Sequence, residues 1–181
     1  AVAPESKDAD FDWDDFMKQL QVVQDSGLAG ISVGADVGWP LADWFENVYL
    51  RTAGPEMYDK LTNHEIPWTD ASVTKALDVM ATLWSSDVLQ PGGAQRTFPE
   101  SVTAVFGADP QAGTVYEGDF VAGNITEDGN SVVGKNALFY DFPSIDGYAP
   151  AVVGGGDVAI AMVDDKATMA LMAYLASPES A

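Results

Sequence analysis

Two spacings of apolar residues alternate along this chain, and the switches between them mark its elements. Trp13, Phe16, Met17, Leu20 and Val23 recur at helical spacing, which predicts a helix that Asp12 caps and Gly27 ends. Asp14 and Asp15 stand in its first turn, where the helix dipole favours anions. The apolar run 31–33 predicts a short strand. Helical spacing returns with Leu41, Trp44, Phe45, Val48 and Thr52, giving a helix over 40–53 that Gly54-Pro55 stops, then a helical turn over 56–61 and a polar loop over 62–65. Ile66-Pro67-Trp68 reads as extended, because a residue before proline avoids the α region.

The clearest stripe lies over 70–86. Thr69 or Asp70 caps it; Val73, Ala76, Leu77, Met80, Leu83 and Trp84 form one side, and Lys75, Asp78, Thr82 and Ser85 the other. After the loop Pro91-Gly92-Gly93 come a helix over 99–106, a turn over 107–110, and a strand at Thr114-Val115-Tyr116-Glu117. Gly118 breaks that strand, and Asp119 is placed to cap a short helix reaching Ile125. A polar loop over 126–135 leads to a strand over 137–142, a turn-rich link over 144–150, and an apolar strand over 151–163 interrupted by Gly154-Gly155-Gly156. Asp164 caps a last helix with Ala167, Ala170, Leu171, Tyr174 and Leu175 on one side. This order predicts an α/β fold, a small sheet covered by helices. No internal repeat or domain boundary is visible.

Composition narrows the chemistry. The 181 residues are 47% hydrophobic, enough for a core, and carry 28 Asp+Glu against 8 Lys+Arg, a formal charge of -20. Such a surface repels nucleic acid and anionic membranes. With no Cys there is no disulfide, thiol nucleophile or Cys-based zinc site. The single His, His64, sits in a polar loop and argues against a His-based metal site and a Ser-His-Asp triad. Asp8, Asp10, Asp12 and Asp14 alternate as in a calcium loop, yet Trp13 stands where glycine is required and Gln19 where the bidentate Glu belongs, so no metal is expected. No run of about 18 apolar residues crosses a membrane.

Three corners couple a carboxylate to glycine. In Val33-Gly34-Ala35-Asp36-Val37-Gly38-Trp39-Pro40 a strand end turns into a helix, with Pro40 suited to the first helical position. Ligands of open α/β sheets sit at such corners. Asp36 offers an acceptor and Trp39 a flat apolar face, the two things a polyhydroxylated ring needs. Glu117-Gly118-Asp119-Phe120 repeats the combination, and Gly155-Gly156-Asp157 supplies a third. Asp36, Glu117, Asp119 and Asp157 are candidate acceptors, Trp39 and Phe120 candidate platforms, and Gly118, Gly155 and Gly156 candidate points of close backbone approach. The bland alternatives are a turn acid at Asp36, a helix cap at Asp119 and core packing at Trp39. Gly154, Gly156 and Ala159 also fit G-x-G-x-x-A, but the segment after them reads as strand where a dinucleotide motif opens a helix.

In this order the segments resemble the extracellular solute-binding protein family 1, the maltose-binding-protein-like receptors of ABC importers. The resemblance rests on Asp12-Trp13-Asp14-Asp15-Phe16, Gly38-Trp39-Pro40-Leu41, Thr114-Val115-Tyr116-Glu117-Gly118-Asp119-Phe120, Phe142-Pro143-Ser144-Ile145-Asp146-Gly147, Gly154-Gly155-Gly156-Asp157-Val158-Ala159-Ile160 and Ala173-Tyr174-Leu175-Ala176-Ser177-Pro178-Glu179. It implies a periplasmic-binding-protein-like lobe of the class II type. Residues 1–181 are then a single lobe, the second of two, with the N-terminal lobe and the last helices outside this chain. The implied function is sugar or oligosaccharide binding in an interlobe cleft, with no catalysis and no cofactor. The implied partners are membrane permease subunits and the carbohydrate itself, with no nucleic acid and a monomer when intact. The implied location is extracytoplasmic, periplasmic or as a cell-surface lipoprotein. The competing expectation is a carbohydrate-active enzyme with paired carboxylates, but with 28 acids any pair can be nominated.

Overall fold

Asp12 accepts a hydrogen bond from the Asp15 amide at 2.9 Å and so starts α1, Trp13–Asp25, whose Phe16 and Leu20 turn into the core. The chain then forms β1 (Ala29–Ser32), α2 (Trp39–Ala53), α3 (Pro55–Thr62), α4 (Ala71–Trp84), α5 (Phe98–Phe106), β2 (Ala112–Val115), α6 (Val121–Glu127) and α7 (Lys166–Leu175). These come from a computed structural model that describes residues 11–129, 131–147 and 151–180. The expectations for residues 1–10, with Asp8 and Asp10, and for 148–150 lie outside the described residues.

β1 and β2 pair in parallel, with Ile31 opposite Thr114 and Ser32 opposite Val115. On its other edge β1 takes a third parallel segment: Ile31 N–H donates to Val88 O at 3.1 Å, and Gln90 N–H to Ile31 O at 2.9 Å. Parallel neighbours need long crossovers; α2, α3 and α4 make the first and α5 the second. Thus the expected sheet covered by helices is present. Its second strand lies two residues earlier than expected, and the cap of α6 falls on Phe120 rather than Asp119, with no side-chain capping bond.

Trp44 is the centre of the core. It is 1% exposed, and its ring meets Tyr116 at 4.5 Å, Trp84 at 5.3 Å and Phe142 at 5.6 Å between centroids. Phe16, Leu20, Ile31, Val48, Tyr49, Leu61, Val73, Ala76, Leu83 and Ile145 pack in the same cluster. A smaller cluster, Val102, Ile125 and Ala137, joins α5 to α6. Leu77, expected on the buried stripe of α4, is instead 50% exposed; the stripe narrows to Val73, Ala76 and Leu83.

Arg51 is 5% exposed near the end of α2. Its Nη1 donates to Asn47 Oδ1 at 2.9 Å, its Nη2 donates to Ala151 O at 2.8 Å, and its guanidinium lies 4.8 Å over the Phe142 ring. Beyond Ala151 two expectations fail. Residues 137–142 contribute only an isolated bridge at Ala137, and 151–163 form no strand. Alternation alone makes no strand, which needs a neighbour to receive its N–H and C=O groups. Val152, Ile160 and Met162 are 92%, 72% and 85% exposed, and α7, capped by Asp165 rather than Asp164, buries no residue.

Replacing Trp44 by Ala is expected to cost about 3–5 kcal/mol, the scale of a large ring removed from a packed core. Leu77→Ala is expected to stay within about 0.5 kcal/mol, as for an exposed position. Urea unfolding midpoints of the two variants check the contrast.

Candidate ligand-binding site

Gly38, with φ +83°, turns the chain out of β1 and makes Trp39 the first residue of α2, with Pro40 behind it. A left-handed φ of this kind suits glycine and few others. The turn is pinned to the loop before α5: Ala35 N–H donates to Gly93 O at 2.9 Å, Asp36 N–H to Arg96 O at 3.2 Å, and Arg96 Nη1 to Val33 O at 3.0 Å.

Across from Trp39, α5 begins at Phe98 because Thr97 and Glu100 form a reciprocal cap. The Thr97 amide donates to Glu100 Oε2 at 2.8 Å, and the Glu100 amide to Thr97 Oγ1 at 3.3 Å. Gly34 lets the two segments approach this closely; a Cβ there would stand 2.8 Å from Phe98 Cα and closer still to the Thr97 carbonyl.

Three rings therefore meet. Trp39 and Phe98 are 5.1 Å apart and inclined by 62°, Phe98 and Phe120 5.6 Å and 66°, and Trp39 and Phe120 5.9 Å and 59°. Trp39 and Phe120 keep 39% and 49% of their surface exposed. Phe120 folds back over Gly118, where a Cβ would lie 2.6 Å from its Cε1. Gly118 is thus a seat for the ring.

Three residues before Phe120 stands a part-buried carboxyl group. Glu117, just past the end of β2, has a buried Oε2 with no hydrogen-bond partner among the described residues. Burial first, and the charge of Asp43 second, push its carboxyl up to about 8, against the pull of the Gly118 N–H. With its proton held, Glu117 can donate a hydrogen bond as well as accept one. Asp43, raised by burial, and Glu46, raised by burial and by Asp43, face the same region from α2. Tyr116 locks the two sides together: its hydroxyl donates to Asp43 O at 3.2 Å and is met by Asn47 Nδ2. Burial, with Asp43 and Glu117 nearby, raises its phenol.

The structure brings together two of the three expected corners. Trp39 and Phe120 touch, Glu117 lies beside them in sequence, and Asp36 and Asp119 are exposed on the turns that carry the rings. Gly155, Gly156 and Asp157 are all exposed, and a Cβ at Gly155 or Gly156 would meet nothing within 4 Å among the described residues. Asp43 and Phe98 belong to the site and went unnamed in the sequence reading. Asp43 follows Trp39 by four residues, hence one turn along the same helix face, a legible signal. Phe98 was marked by the Thr97-x-x-Glu100 capping pattern around it.

No family model matches the chain. It is similar to the alpha-glucosides-binding periplasmic protein AglE of Rhizobium meliloti, 32% identical over 156 residues, which cover 82% of this chain and 34% of that protein. It is also similar to the osmoprotective compounds-binding protein GgtB of Synechocystis sp., 30% identical over 174 residues, 91% of this chain and 41% of that one. The chain thus spans between a third and a half of these relatives' length. Among solved structures, the bacterial solute receptor AcbH, with a stated exclusive preference for β-D-galactopyranose, superposes with a TM-score of 0.64 at 30% identity, over 74% of this chain and 32% of that one. A chitin oligosaccharide binding protein shares the fold with a TM-score of 0.58 at 21% identity, over 65% of this chain and 29% of that one. These relatives are named as binding proteins, and this chain is similar to carbohydrate-type solute-binding proteins and carries a segment of their periplasmic-binding-protein-like α/β fold.

Proposed function

We propose that the protein to which this chain belongs is the extracytoplasmic substrate-binding component of an ABC importer, binding a sugar or oligosaccharide at the ring cluster of Trp39, Phe98 and Phe120. The observation that carries this reading is that cluster, half open to solvent, set beside the neutral acid Glu117 and Asp43. Exposed aromatic faces take the C–H side of a pyranose, and a donor next to an acceptor serves hydroxyls, each of which both gives and takes a hydrogen bond. Relatives named for α-glucosides and for β-D-galactopyranose support a neutral pyranoside as the ligand class. The formal charge of -20 opposes anionic ligands. Asp36, Asp119 and the 155–157 turn complete the proposed site when a second lobe closes over it.

Residues 1–181 are read as one lobe of a two-lobe receptor that acts as a monomer and delivers sugar to membrane permease subunits, in the periplasm or as a surface lipoprotein. The exposed apolar residues of 151–163 and α7 support this, since a soluble protein seldom leaves so much apolar surface bare. No catalysis is assigned. The relatives are named as binding proteins, and nitrophenyl glycosides are expected to stay intact in the presence of the full-length protein.

In the full-length protein Phe120→Ala is expected to weaken sugar binding by about 1–2 kcal/mol, the scale of one ring contact, with the fold retained; an unchanged dissociation constant in calorimetry would reduce Phe120 to packing. The isolated chain is expected to bind weakly or not at all, and micromolar binding by it would overturn the two-lobe reading. A pH effect follows from Glu117. The fold holds its proton up to about 8, whereas the unfolded chain releases it near about 4.3. Between those values the folded state binds more protons, so this contribution to stability is lost as pH rises. Glu117→Gln is expected to flatten that limb of the stability curve. It is also expected to keep sugar binding at about pH 9, where the parent's donor is ionised.

A further inference from the structure

A chain of hydrogen bonds joins α2 to the exit of β2, and its direction is fixed at one end. Asp43, Asn47 and Arg51 lie four residues apart, along one face of α2. Arg51 is 5% exposed, and a guanidinium can only donate. Its Nη1 donates to Asn47 Oδ1 at 2.9 Å and its Nη2 to Ala151 O at 2.8 Å, while its Nε has no hydrogen-bond partner among the described residues. A buried cation is costly unless acceptors stand in front of it. Arg51 therefore leaves the Asn47 amide one arrangement, with its oxygen toward the cation and its nitrogen away from it. That nitrogen meets the Tyr116 hydroxyl. The Tyr116 oxygen is an acceptor there, and its single proton is left for the Asp43 carbonyl at 3.2 Å, which also takes Asn47 Nδ2 at 3.3 Å.

We propose that Arg51 is a positioning residue of the ligand site: it orients the Asn47 amide so that Tyr116 donates to the Asp43 carbonyl, and thereby ties the exit of β2, which carries Glu117 and Phe120, to the helix that carries Trp39. This rests on the sugar-receptor reading above. The Tyr116 ring is held by Trp44 at 4.5 Å and by Phe142 at 5.0 Å between centroids. Packing of this kind fixes a ring but not the direction in which its hydroxyl proton points. The amide sets that direction, and the cation sets the amide. Without the cation the amide can turn over, and its oxygen would then take the phenol proton away from Asp43 O. Arg51 stands twelve residues along α2 from Trp39, so its influence on the site passes through Asn47 and Tyr116.

The test uses the full-length protein. Calorimetry with methyl α-D-glucopyranoside, methyl β-D-galactopyranoside and maltotriose picks the sugar the parent binds most tightly, and that sugar serves for the variants. Arg51→Met is expected to weaken its binding by about tenfold, the scale of one lost hydrogen bond. Because Arg51 acts through Asn47, the same substitution is expected to add no more than about twofold in an Asn47→Leu background. The tyrosine doublet of the Raman spectrum separates orientation from stability, since its intensity ratio reports whether a phenol accepts as well as donates. The Tyr116 contribution is the difference between each protein and its Tyr116→Phe counterpart. It is expected to read as donor and acceptor in the parent, and as donor only in Arg51→Met and in Asn47→Asp. Asn47→Asp keeps an acceptor for the cation and removes only the nitrogen, so it decides the orientation if Arg51→Met does not fold. A parent that binds sugar, together with an additive loss in the double variant or a Tyr116 signature unmoved in these variants, would overturn the role of Arg51 and leave the receptor reading intact. A parent that binds none of the three sugars would overturn the receptor reading and this inference with it.

Discussion

The contact between Trp44 and Tyr116 is the constraint on which the rest depends. One residue comes from the second turn of α2 and the other from the exit of β2, and their rings meet at 4.5 Å in the middle of the core. The Tyr116 hydroxyl then reaches the Asp43 carbonyl at 3.2 Å, so the same side chain that fills the core also fixes α2 against the strand end. With that distance set, the residues flanking the contact have no freedom about where they emerge. Trp39 must come up on one side and Phe120 on the other, and both arrive at Phe98. A core ring cluster thus determines the geometry of an exposed one. The electrostatics share this origin: the packing that buries Tyr116 also buries its neighbour Glu117 opposite Asp43 and leaves it protonated.

Much of the fold was legible in the sequence, because its signals are local. The Asp12 and Asp70 caps, the Pro40 helix entry, the Gly54-Pro55 stop and the helical stripe of α1 each follow from interactions within a few residues. Boundaries moved where long-range pairing decides them, as in β2, whose register is set by β1. The failures at 137–142 and 151–163 have one cause. Alternation tells which residues want to be covered but not whether a neighbour exists to cover them, and apart from the bridge between Val133 and Ala137, no strand pairing reaches those residues among the described ones.

The site was legible in outline and misread in its charges. Residue types at strand-to-helix corners pointed to Trp39 and Phe120, and the two do meet. Phe98 escaped because its importance lies in contacts made across 59 and 22 positions of sequence, to Trp39 and Phe120, that no window on the chain displays. At Glu117 the residue type suggests an anion, while burial and the neighbouring Asp43 push the carboxyl up. Protonation states are properties of surroundings, and surroundings are what a sequence shows least.

The grip of Arg51 on the Ala151 carbonyl has a mechanical meaning. Trp39 begins α2 and Arg51 lies near its other end, twelve residues on, or about 18 Å of helix. A helix resists compression along its axis, so α2 is a strut with an aromatic wall at one tip and a tether at the other. The tethered end therefore fixes where the polypeptide that continues from Ala151 sits relative to the helix that carries Trp39.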